Sequence, residues 1–72
     1  MKFETYKNLK TEYFYLKSGK NEVQICVPVI NRVSDYNRPK VFTVINGEYT
    51  KSYDATSLEE AKRIAELMFS VL

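Results

Sequence analysis

Cys26 is the single thiol of this 72-residue chain, and there is no histidine to take its proton. A cysteine nucleophile needs a neighbouring base or a strongly electropositive setting, so Cys26 reads as a small side chain within a strand. One Cys and no His also exclude the usual zinc ligand sets, and the carboxylates are scattered rather than spaced as a calcium loop. The two glycines, Gly19 and Gly47, are too few for a Gly-rich phosphate loop. Glu59 and Glu60 are consecutive on a predicted helix and point apart, as residues that favour the helix N-terminus rather than as an acid and base. The expectation is no enzyme, no metal and no cofactor. What remains is recognition. Tyr supplies six of the ten aromatic side chains, and Tyr13 and Tyr15 alternate with apolar residues beside Lys17. Gln24 and Glu22 fall opposite them on the next strand. Exposed aromatics on a sheet serve protein interfaces or stack bases. The polar loop 31–39 adds Arg32, Tyr36 and Arg38, residue types frequent at binding hot spots. The expected partner-binding residues are therefore Tyr13, Tyr15, Lys17 and Gln24 on the sheet, with Arg32, Tyr36 and Arg38 in the loop.

Positioning these residues requires a sheet. Residues 12–17 and 22–30 read as two strands joined by the turn chemistry of Ser18-Gly19-Lys20-Asn21. Folding one on the other sets Lys17 opposite Glu22, Leu16 opposite Val23, Tyr15 opposite Gln24, Phe14 opposite Ile25 and Tyr13 opposite Cys26. Alternation then collects Phe14, Leu16, Val23, Ile25 and Val27 on one face, leaving the tyrosines on the other. Pro28 cannot donate to a ladder, so pairing is expected to stop on one side of it or to bend there. Residues 40–45 and 48–53 read as two further strands joined by Asn46-Gly47, a dipeptide suited to a turn with positive φ at both central positions. Within that hairpin Val44 is expected opposite Tyr49, Thr43 opposite Thr50 and Phe42 opposite Lys51. Phe42, Val44, Tyr49 and Tyr53 should then meet the helix, with Lys51 reaching for solvent at the rim. Residues 1–10 fit a short strand or a helical turn equally.

Ser57-Leu58-Glu59-Glu60 is a capping box that opens the helix. From Leu58 to about Val71, the residues Leu58, Ala61, Ile64, Ala65, Met68 and Leu72 share one stripe, bordered by Phe69 and Val71. Glu59, Lys62, Arg63, Glu66 and Ser70 lie opposite. The chain length suits one domain spanning 1–72. The expected fold class is α+β, an antiparallel sheet of three to four strands packed on one C-terminal helix. No apolar run is long enough to span a membrane, and Met1-Lys2-Phe3-Glu4 does not open a signal peptide. A cytoplasmic protein without membrane contact is expected, in keeping with an unpaired cysteine. The net charge of +2 divides into +3 over residues 1–56 and −1 over the helix segment, too even a distribution to argue for nucleic acid by itself.

From Lys40 to Met68 the order is a strand, an Asn-Gly turn, a strand ending in an aromatic residue, a short Asp/Thr/Ser link, and Glu59-Glu60-Ala61 opening a helix. This segment resembles the arm-binding domain of phage integrases and the related plant ethylene-response DNA-binding domain. The resemblance implies a three-stranded antiparallel sheet on one helix, with the sheet entering the major groove of DNA. Its groove-facing positions fall on Thr43, Glu48, Thr50 and Ser52, where family members carry Arg, Lys or Trp. In size and in its richness in Lys, Asn and Tyr, the chain also resembles the small inhibitors that phages and mobile elements encode, anti-CRISPR proteins among them. That likeness implies a non-enzymatic inhibitor that contacts a host protein or protein–nucleic-acid complex in the host cytoplasm. Two alternatives stand beside it: direct DNA binding in the integrase-arm manner, and self-association as a structural protein or homodimer.

Overall fold

The computed structural model describes residues 2–28 and 38–71. They form β1 (Glu4–Lys7), β2 (Thr11–Ser18), β3 (Asn21–Pro28), β4 (Lys40–Ile45), β5 (Glu48–Asp54) and α1 (Leu58–Ser70). The fold is α+β. Every neighbouring pair of strands is antiparallel and the order in the sheet follows the chain, β1-β2-β3-β4-β5. The helix lies over β3 and β4 on one face.

The β2–β3 hairpin has the register expected from its two alternations, from Lys17↔Glu22 to Tyr13↔Cys26. Its helix-facing residues Phe14, Leu16, Val23 and Ile25 are buried. Beyond Cys26↔Lys40 the β3–β4 ladder ends, so among the described residues Pro28 pairs with Thr11 of β2 alone, and its missing N–H interrupts no β3–β4 pair. At the other hairpin Asn46 and Gly47 adopt φ of 54° and 84°, the left-handed region this turn demands.

The sheet has five strands among the described residues, not three or four. The additional strand is β1, paired from Glu4↔Tyr15 to Lys7↔Glu12. All four of its residues are exposed, so it carries no apolar alternation by which a sequence could announce a strand. It is held by its ladder and by the turn that follows. There the Asn8 side chain accepts from the backbone N–H groups of Lys10 (2.8 Å) and Thr11 (2.7 Å), and Asn8 N–H donates to the Thr11 carbonyl.

The larger correction concerns β4 and β5. Val41 and Thr43, with Tyr53, face the helix; Phe42, Val44 and Tyr49 are on the opposite face. β3 decides this, because Val23 pairs with Thr43 and Ile25 with Val41. The β4–β5 register also shifts between Thr43 and Val44. Val44 pairs with Tyr49 as expected, but Thr43 pairs with Lys51 and Phe42 with Ser52, leaving Thr50 as the extra residue of a bulge. The shift has a polar rationale. Thr43 is the buried polar side chain among the described residues, and its hydroxyl is 2.7 Å from that of Thr50, which satisfies a group that burial would otherwise penalise. Lys51, opposite Thr43 on the edge strand, is exposed.

Ser57 caps α1, its Oγ accepting from Glu60 N–H at 3.2 Å. Glu60 reaches back one residue further than a standard capping box, accepting from the Thr56 hydroxyl and N–H. Ala61 and Ala65 are fully buried, and their small side chains let the helix backbone approach Val23, Ile25 and Val41. Leu58, Ile64, Met68 and Phe69, all partly buried, pack around them. Val71 is exposed, and Leu72 lies outside the described residues. Lys62, expected on the solvent side, is half-buried. Its Nζ is 4.9 Å from the centre of the Phe14 ring and 5.8 Å from that of Phe3, covering the sheet where the helix does not reach. Ala55 closes the core beneath the link to α1, its N–H donating to the Pro39 carbonyl. Among the described residues no helix is long and apolar enough to cross a membrane.

Ala65→Leu should overpack the contact between helix and sheet and cost about 1–3 kcal/mol, and Ser57→Ala should cost about 1 kcal/mol. Leu67→Ala, on the exposed side of α1, should stay within about 0.5 kcal/mol. Urea denaturation followed by circular dichroism checks all three.

Candidate functional site

Pairing across five strands arranges the helix-free face as three rows. The middle row runs Glu4, Tyr15, Gln24, Phe42, Ser52. On one side lies the row Tyr6, Tyr13, Cys26, Lys40, Asp54, and on the other Lys17, Glu22, Val44, Tyr49. Five aromatic side chains therefore share the face opposite α1. The Tyr6 and Tyr13 rings lie 6.0 Å apart, tilted by 36°, and Phe42 and Tyr49 meet edge to face at 6.1 Å. Tyr15 and Gln24 sit between these two pairs. The Tyr49 hydroxyl donates to Gln24 Oε1 at 3.4 Å, crossing over β4 to tie β5 to the centre of the face. Tyr6, Tyr13, Tyr15, Glu22, Gln24 and Tyr49 line a shallow, open depression of about 410 Å³.

Tyr13, Tyr15 and Gln24 are thus brought together as expected, with Lys17 at the corner of the same face. Arg38 is exposed, two residues before the start of β4. Arg32 and Tyr36 lie outside the described residues. Tyr6, Phe42 and Tyr49 extend the patch beyond the sequence reading. Tyr6 escaped because β1 has no pattern of its own, and Phe42 and Tyr49 because they were expected beneath the helix. The one signal that could have found them is the β3–β4 pairing, since Phe42 must follow Gln24 once Val41 follows Ile25. Of the four positions that the integrase-arm resemblance aligns with a DNA groove, Thr43 is buried on the helix side, while Glu48, Thr50 and Ser52 are exposed.

The electrostatics of the face are balanced. Lys17 and Lys40 stand against Glu4, Glu22 and Asp54, and Lys40 is directly paired with Asp54. Such a face lacks the basic stripe that tracks a phosphate backbone. Cys26 lies within it, half-buried between Tyr13 and Lys40, and burial pushes its thiol pKa up. The thiol stays protonated at neutral pH, which opposes nucleophilic chemistry there. Among the described residues no group of three or more His, Cys, Asp or Glu is placed to hold a metal ion. No protein-family model, curated protein or solved structure matches this chain.

Alkylation of Cys26 by iodoacetamide at pH 8 should be slower in the folded protein than in the urea-unfolded chain. Equal rates in the two states would show that its surroundings neither shield the thiol nor raise its pKa.

Proposed function

We propose that this chain is a non-enzymatic binding protein, an inhibitor of the kind phages and mobile elements encode, that lays its tyrosine face on a folded protein of its host. The observation that carries this reading is the gathering of Tyr6, Tyr13, Tyr15, Phe42 and Tyr49 on the sheet face opposite α1. Tyrosine offers large contact area for little conformational entropy and keeps a polar tip, so it tolerates water before binding and buries well after it. Two of the five, Tyr6 and Tyr49, remain more than half exposed, at 59% and 68%. An aromatic cluster of this density on one side of a small domain is the composition of an interface core. The nearly balanced charges around it favour a protein target over a nucleic-acid backbone.

Lys17 and Gln24 serve as polar contacts at the edge and the centre. In sequence, residues 32–38 lie between β3 and β4. Arg32, Tyr36 and Arg38 are proposed as a second contact group. Anti-CRISPR or other anti-defence activity, in the host cytoplasm, is the specific form this reading takes.

The double variant Tyr13→Ala, Tyr15→Ala tests it. It should keep the circular dichroism spectrum and a cooperative melt. In pull-downs from the native host it should lose the partner that wild type retains, with affinity down about 30-fold or more, the weight of one hot-spot residue. Undiminished binding by a folded variant would remove this face from the function. A shift of duplex DNA at low salt that vanishes as salt is raised would assign the chain to DNA binding instead.

A further inference from the structure

The tyrosine face is laid out so that it can close on a copy of itself. β3 is the central strand of five, and Gln24 is the middle residue of the middle row, flanked by Tyr15 and Phe42. A second copy turned face to face about an axis along β3 sets Tyr15 on Phe42 of that copy and Tyr13 on its Lys40. The first contact is aromatic on aromatic, and the second places a cation on a ring. The usual rotation of about 30° between packed sheets preserves these contacts near the axis and displaces only the corners. Charge permits the same arrangement, because the face carries two lysines and three carboxylates and does not repel its own copy as a strongly biased face would. Glu22 meets its equivalent only in a rim row, where Lys17 is directly beside it.

Area sets the strength. Five strands about 4.8 Å apart and some six residues long give a footprint of roughly 450 Å² per copy, or about 1,000 Å² in total with side-chain relief. That is at the lower limit for a specific interface. We propose that two copies of this chain close their tyrosine faces on each other about the β3 axis, in a weak and reversible dimer that covers the binding surface until a heterologous target displaces it. The inference rests on the proposed function in using the same face, but it is tested with this protein alone.

Sedimentation velocity on wild type should show the mean mass rising from one chain toward two, with half-association between about 10 µM and 1 mM. Gln24→Lys and Gln24→Glu each set like charges against one another at the axis, and each should weaken association tenfold or more while keeping the wild-type circular dichroism spectrum. An equimolar mixture of the two should restore the dimer, because only a symmetric contact at residue 24 pairs the introduced lysine with the introduced glutamate. A wild type that stays monomeric at 1 mM overturns the proposal and leaves the heterologous-target reading standing. So does a mixture that associates no better than its components, which would place any dimer on another surface. A wild type that dimerises while the folded Tyr13→Ala, Tyr15→Ala variant still binds its host partner undiminished would remove that reading and leave the dimer.

Discussion

Side chains along a strand point alternately to one face and the other, and in this protein one unbroken parity runs from β1 through β4. Thr5, Phe14, Ile25 and Val41 lie in one row on the helix side, and Tyr6, Tyr13, Cys26 and Lys40 in the adjacent row on the other. A slip of one residue in any of these ladders would exchange the faces of every residue beyond it. The burial of Val23, Ile25 and Val41 beneath the helix and the display of the tyrosines are therefore a single fact. Where the parity is disturbed, at the bulge opposite Thr43 and Val44, the disturbance falls on the edge strand, and the helix-facing Tyr53 and the outward Tyr49 are both kept in place.

The helix exploits only one side of this arrangement. With Ala61 and Ala65 against the sheet it sits close over β3 and β4, leaving the sheet near β1 to be covered by the stem of Lys62 and by Phe3. Among the described residues α1 is the one helix. The opposite face is left with side chains that are apolar in body and polar at the tip, together with Val44, which is buried between Glu22 and Tyr49 in its row. This composition is stable in water yet gains from being covered, which is the physical basis for proposing it as a contact surface. Its thiol is shielded and protonated, so the surface holds no activated nucleophile at Cys26.

Much of this was legible in the residue order, and the legible parts share a property. The β2–β3 hairpin was recoverable because its two strands alternate independently and agree. The helix was recoverable because its cap, its stripe and its small residues all point to one face. Asn46-Gly47 demands a single kind of turn. β1 was not legible because all its residues are exposed and no burial pattern marks them. In β4, Val41, Phe42 and Val44 are apolar on both faces, so alternation offers two answers of equal merit. The larger residues favoured the wrong one, since Phe42 looks like a core residue until β3 is placed beside it. Lys62 illustrates the same limit: its charge suggested solvent, and its aliphatic stem found an aromatic surface that only the packed sheet provides.

Local chemistry, acting within a few residues, determined the turns, the helix and its cap, and the division of the first hairpin into an apolar side and a tyrosine side, because each depends on steric limits and periodicity carried by the chain itself. Tertiary pairing alone decided which face β4 and β5 would present, recruited β1 to the sheet, and so assembled Tyr6, Phe42 and Tyr49 with Tyr13 and Tyr15. Those outcomes depend on ladders between segments far apart in sequence, where the partner strand, rather than the residue's own character, selects the side on which it points.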